Sequence, residues 1–136
     1  MRNIDLLPGG RTDLAALRVK DRTAAAEIVA LLEEADADPR IFEKLTTHGD
    51  VTIGKGHLVN VVGWVAARRG SNNLFRLKAL DPPVPGYRVL YGFDWHTRRI
   101  GILAVVRRGD DTYELDGNLA RRILEDWRIA TGGVPT

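Results

Sequence analysis

Asn73-Leu74-Phe75-Arg76-Leu77-Lys78-Ala79-Leu80, then Tyr87-Arg88-Val89-Leu90-Tyr91-Gly92-Phe93, then Arg99 to Arg108 are the three runs whose reading decides the fold. Successive side chains of an extended strand point to opposite faces, so Phe75, Leu77 and Ala79 share one face of the first run while Arg76 and Lys78 share the other. In the second run Tyr87, Val89, Tyr91 and Phe93 alternate with Arg88 and Leu90, and aromatic and β-branched residues suit a half-buried pleated surface. Asp81-Pro82-Pro83-Val84-Pro85-Gly86 is a turn-rich link between the first two runs. Asp94 to Arg98 is a short connection to the third, and short links favour antiparallel neighbours. The expectation is a three-stranded antiparallel meander within a sheet region running from about Asn73 to Tyr113.

Outward from this sheet the period changes. Ala24, Ile28, Leu31, Leu32 and Ala35 recur at three- and four-residue spacing, which predicts an amphipathic helix over Asp21 to Ala35 with Asp21 as its N-cap. Asp36, Asp38 and Pro39 break it, and Pro39 to Leu45 starts a short second helical turn, because proline is tolerated at the first helical position. Thr46 to Gly56, rich in Gly, Thr and His, reads as a connecting loop. Leu58, Val61, Val62, Val65 and Ala66 follow helical spacing up to Arg68-Arg69-Gly70, with Gly63 inside the run. Leu119, Ala120, Ile123, Leu124 and Trp127 close the chain as an amphipathic helix behind Asn118 as its cap. The fold class expected is α+β: N-terminal helices packed on a small antiparallel sheet, then a C-terminal helix, in a single domain over 1–136.

The chain has 136 residues, 44% of them hydrophobic, enough to bury one core. It has no cysteine, which excludes disulfides, thiolate metal sites and thiol nucleophiles. Met1 to Arg11 carries Arg2, Asp5 and Arg11 around a short apolar run, unlike a signal segment or a membrane span, so a cytoplasmic protein without a membrane partner is expected. The net charge is +2, but its placement is uneven. From Arg76 to Arg108, Arg76, Lys78, Arg88, Arg98, Arg99, Arg107 and Arg108 face only Asp81 and Asp94, a local excess of +5. Such a stretch suits a polyanion or an acidic partner.

With the strands adjacent, Arg76, Lys78, Arg88 and Arg107 are expected on one side of the sheet, with Tyr113 six residues beyond Arg107. Clustered cations repel unless an anion sits among them, and a phosphate ester relieves that cost. Cleaving RNA without a metal needs a base for the 2′-hydroxyl, cations for the charge gathering on the phosphate, and a proton for the leaving oxygen. Lys78 is the candidate base, because nearby Arg76 and Arg88 favour its neutral form, whereas arginine does not give up its proton. Arg88 is the phosphate clamp, and Tyr113 would stack on a base or orient a phosphate. Ordinary solvated charges, pairing with Asp110, Asp111 and Glu114, are the plainer reading of the same residues.

Leu74-Phe75-Arg76-Leu77-Lys78, then Gly86-Tyr87-Arg88-Val89-Leu90-Tyr91, then Ile102 to Arg108, then Tyr113, resemble in order the RelE/ParE superfamily of bacterial toxins, across roughly the C-terminal half. In the RelE-like messenger-RNA endonucleases the first strand bears a basic-x-Lys pair, the second begins Tyr-Arg, and the third ends in an Arg followed six residues later by a Tyr. The resemblance implies Lys78, Arg88, Arg107 and Tyr113 as catalytic residues, with Arg107 stabilising or protonating the leaving group, and Arg76, Arg98, Arg99 and Arg108 as RNA-binding residues. A slip of one residue would put Arg108 in place of Arg107. It implies the toxin of a type II toxin–antitoxin system, a hydrolase-class messenger-RNA interferase that inhibits translation and leaves a 2′,3′-cyclic phosphate. No metal or other cofactor is implied; the partners are a cognate antitoxin, the ribosome and its messenger RNA, in a homodimer or a heteromeric toxin–antitoxin assembly. Here Arg76 stands at the first basic position where the family has lysine, and 46–71 reads as an insertion. The alternatives are a ParE-like gyrase inhibitor without catalysis and a degenerate or phage-derived relative acting as a binding module.

Ile53-Gly54-Lys55-Gly56 lacks the spacing and the Ser/Thr of a phosphate loop. His48, His57 and His96 have no carboxylates at ligand spacing. Trp64, Trp95 and Trp127 read as packing residues rather than base-stacking platforms, Trp95 being the one placed in an exposed hairpin.

Overall fold

A computed structural model describes residues 3–46, 49–53, 57–63, 73–79, 86–107 and 117–133. Its sheet runs through strands β1 (Ile4–Leu6), β2 (Gly49–Ile53), β3 (His57–Gly63), β4 (Leu74–Ala79), β5 (Tyr87–Asp94) and β6 (Arg99–Arg107), in the spatial order β1-β6-β5-β4-β3-β2. All pairings are antiparallel except β1 with β6. The expected meander is therefore the middle of a six-stranded mixed sheet, and the α+β class stands.

Three helices follow β1: α1 (Pro8–Lys20), α2 (Arg22–Ala37) and α3 (Pro39–Lys44). The Asp21 carboxylate accepts the Ala24 N–H at 3.1 Å and so caps α2, as its position predicted. Asp38 accepts the Arg40 N–H at 2.9 Å and Pro39 opens α3. Helix α1 answers to no expectation drawn from the sequence, and Gly9 and Gly10 give its first turn a low helical propensity. Tertiary packing overrides that propensity. A β-carbon on Gly9 would stand 2.8 Å from Arg122 Nε and 2.9 Å from the Leu103 carbonyl, so the glycines let the first turn of α1 lie against β6.

Two further readings are corrected. Gly49–Ile53, expected as loop, is β2, and His57–Gly63, expected as the first part of a helix, is β3. Helical spacing of Leu58, Val61 and Val62 competed there with β-branched content, and pairing on both sides of β3 decided it. The stretch taken for an insertion thus supplies two strands. The C-terminal helix α4 (Asn118–Thr131) has Gly117 rather than Asn118 at its N-cap, with no side-chain cap.

Helices cover both faces of the sheet. On one, Ile28, Leu31, Leu32, Ala35 and Phe42 bury against Val61, Phe75, Val89, Tyr91, Phe93, Ile100, Ile102 and Val105. Phe75 stacks on Tyr91 with ring centroids 5.7 Å apart, and the buried Tyr91 hydroxyl donates to the Leu45 carbonyl at 2.7 Å. On the other, Ala120, Ile123 and Trp127 of α4 bury against Leu74, Leu90, Leu103 and Ala104. No helix among the described residues is long and apolar enough to cross a membrane.

Strand β6 contains a bulge. Leu90 pairs with Ala104 but Tyr91 pairs with Ile102, leaving Leu103 as the extra residue. Leu103 and Ala104 both join the α4-side cluster, so the alternation of β6 inverts beyond this point.

Candidate functional site

The β4–β5 ladder sets Lys78 directly opposite Arg88, Leu77 opposite Val89 and Arg76 opposite Leu90. Directly paired residues of an antiparallel ladder have Cα atoms about 4.5–5.5 Å apart. Positions 76, 78 and 88 share the alternation of Leu74 and Leu90, and so belong to the face that α4 covers further along. The basic-x-Lys step of β4 and the Tyr-Arg step of β5 are thus neighbours in space as well as similar in pattern.

Arg88 is the buried charged side chain among the described residues, 4% exposed, and its Nη1 donates to the Tyr87 carbonyl at 3.1 Å. Holding a guanidinium this deep costs desolvation free energy, which hydrogen bonds such as the one to the Tyr87 carbonyl partly offset. Arg76 is half-buried one register step away.

Arg107 does not join them. It pairs with Tyr87, while Arg88 pairs with Val106, so Arg107 takes the face of the α1–α2 hairpin. Without the bulge its alternation would match Gly101, hence Gly92 and Arg88; the extra residue inverts it. The expectation that Arg107 lies on one side with Arg76, Lys78 and Arg88 is corrected on this ground. On its own face Arg107 lines a concavity of about 220 Å³ with Asp13, Ala16, Leu17, Lys20 and Tyr87. The Tyr87 hydroxyl donates to Asp21 at 3.3 Å. Burial first, then the charge of Asp21 and this hydrogen bond, hold the Tyr87 phenol above its ordinary value, with Arg107 opposing.

Arg99 and Arg98 diverge although adjacent. Arg99 grips Asp5 through Nε at 2.8 Å and Nη2 at 2.5 Å, which fastens β1 to β6. Arg98 is exposed at the β5–β6 turn. Arg108 and Tyr113 lie outside the described residues.

Pattern reading also missed the support of this site. Gly92 and Gly101 pair across β5 and β6, and β-carbons there would meet the Trp127 ring at 2.7 and 3.1 Å, so the indole lies on a bare patch of sheet. The signal was present as two glycines inside otherwise apolar strands. No group of His, Asp or Glu among the described residues is arranged to hold a metal.

Comparison with known proteins finds no matching family model, no matching curated protein and no matching solved structure.

Proposed function

We propose that the chain is the toxin of a type II toxin–antitoxin pair, a RelE-like endoribonuclease acting on messenger RNA at the ribosome. The observation that carries this reading is the pairing of Lys78 with Arg88, with Arg76 on the same face. In the proposed reaction the neutral Lys78 amine takes the proton of a 2′-hydroxyl, whose oxygen attacks the adjacent phosphorus. The bond to the 5′-oxygen breaks, leaving a 2′,3′-cyclic phosphate and a 5′-hydroxyl. Arg76, with the charge of the buried Arg88 behind it, balances the charge that gathers on the phosphate oxygens. The leaving oxygen needs a proton, for which the sequence offers the Tyr113 hydroxyl; Arg107, on the other face and a guanidinium, does not supply it. A cognate antitoxin would cover the basic face, with an on-rate that falls as salt rises.

Arg107 on the opposite face favours a second reading, the ParE kind, in which the fold binds gyrase and cleaves nothing. Inducing the chain in cells and following messages and supercoiling separates the two. Growth arrest with cleaved messages, lost by about 10²-fold or more in Lys78→Ala and Arg88→Lys, supports the endonuclease. Arrest with intact messages and blocked supercoiling moves the reading to gyrase, and no arrest leaves a binding module.

A further inference from the structure

Strands β5 and β6 are joined through Trp95-His96-Thr97-Arg98, and all four residues are exposed. Trp95 keeps 56% of its surface in solvent, yet it is not loose: its ring stacks on His96 with centroids 4.1 Å apart and planes 26° from parallel. Asp94 braces the turn by accepting the His96 N–H at 3.0 Å, and the Thr97 hydroxyl donates to the Asp94 carbonyl at 3.5 Å. Arg98 has φ of 56°, the left-handed region that costs a residue bearing a β-carbon and suits glycine.

We infer that this hairpin tip is a stacking platform for an unpaired nucleobase of RNA, with the Trp95 indole as the platform, His96 as its backing and Arg98 as the contact to a neighbouring phosphate. Every base offers a π face, so an aromatic ring exposed beside a cation binds single strands without reading sequence. A ring already held by a stacking neighbour has little freedom left to lose on binding. An apolar protein partner is disfavoured, because a hot-spot indole sits inside an apolar surround, whereas Trp95 is followed by His96, Thr97 and Arg98. The tip also lies in the stretch from Arg76 to Arg108 that carries the excess of basic residues.

The tip is a separate contact from the Lys78–Arg88 pair. Arg88 and Asp94 are six residues apart on β5, about 20 Å at strand rise, and Trp127 of α4 lies over Gly92 and Gly101 between them. The inference rests on the proposed function only for its choice of RNA as the polymer.

Titrating the full chain with a short oligoadenylate tests it through tryptophan emission and through affinity. Wild type should show a quench that Trp95→Phe removes. Trp95→Ala should bind roughly ten-fold more weakly while Trp95→Phe keeps most of the affinity. Arg98→Ala should lower the slope of log affinity against log salt by about 0.7. A wild type without quench, or a Trp95→Ala protein that binds RNA as wild type does, overturns the inference; so does a Trp95→Ala protein that loses affinity only for an acidic protein. The same quench in a Lys78→Ala, Arg88→Lys protein that no longer cleaves supports the platform independently. A quench in a wild type that never cleaves sinks the endonuclease and leaves the platform standing.

Discussion

Asp13 and Arg122 join the helices on opposite faces of the sheet: Arg122 Nη2 lies 2.7 Å from Asp13 Oδ2, reaching around β6 beyond the last residue of β1. The same carboxylate accepts the Val105 N–H at 3.0 Å, an amide past the end of the β1 pairing, and Arg122 also donates to the Leu103 carbonyl at the bulge. The pair therefore serves the edge of β6 as well as the two helices. Asp13→Ala should destabilise the fold by about 2–3 kcal/mol, since it strands both the amide and the guanidinium, and Arg122→Ala by about 1 kcal/mol. Urea unfolding of both single variants and the double variant measures this. Equal losses would mean that the Val105 contact contributes nothing.

Trp127 on Gly92 and Gly101 makes a different prediction, because there the constraint is shape. Gly92→Ala forces a β-carbon to 2.7 Å from the indole ring, closer than side chains pack. A loss of about 1–3 kcal/mol is expected from overpacking, read as a lower thermal midpoint. Trp127→Phe should be destabilising alone but should recover part of the loss when combined with Gly92→Ala. A Gly92→Ala protein as stable as wild type would show that α4 is not seated as described.

These contacts show what was legible beforehand. The alternation of Phe75, Arg76, Leu77 and Lys78 and that of Tyr87 to Phe93 marked β4 and β5, since each strand has one face that is not uniformly apolar. Strand β6 carried no such mark: Ile102-Leu103-Ala104-Val105-Val106 is apolar throughout, so no period betrays the extra residue, and the face of Arg107 came out inverted. Helix α2 was readable from its stripe and its Asp21 cap. Helix α1 was hidden by Gly9-Gly10, whose smallness serves a contact with a strand about ninety residues away. Of the candidate site, the closeness of Lys78 and Arg88 followed from pattern and short connections, but nothing in the alternation marks Arg88 as buried.

Alkaline pH should weaken the fold through two tyrosines. Tyr91 is fully buried, and burial pushes its phenol well above the ordinary value; Tyr87 is raised in the same direction by burial and by Asp21. In both the folded state keeps its proton after the unfolded chain has lost it. Their contribution is complete below the ordinary phenol value of 10.0 and declines as pH climbs above it toward the raised folded values. Unfolding midpoints should hold steady up to about pH 10 and then fall. Tyr91→Phe should be less stable at neutral pH by about 1–2 kcal/mol, having lost the hydrogen bond to Leu45, and its alkaline decline should be shallower. A decline of unchanged steepness in that variant would place the cause elsewhere.

Arg107 tests the register itself. If β6 is bulged at Leu103, Arg107 stands beside Tyr87 and away from Arg88, so its removal should act on the phenol and spare the proposed phosphate site. Arg107→Ala should raise the pH at which Tyr87 ionises, followed by phenolate absorbance against a Tyr87→Phe control, because the cation that favoured the phenolate is gone. It should also cost RNA cleavage less than about ten-fold, while Arg88→Lys costs about 10²-fold by losing the planar guanidinium that stands behind the phosphate. The opposite ranking, with Tyr87 unmoved, would place Arg107 at the phosphate and require β6 to run without its bulge.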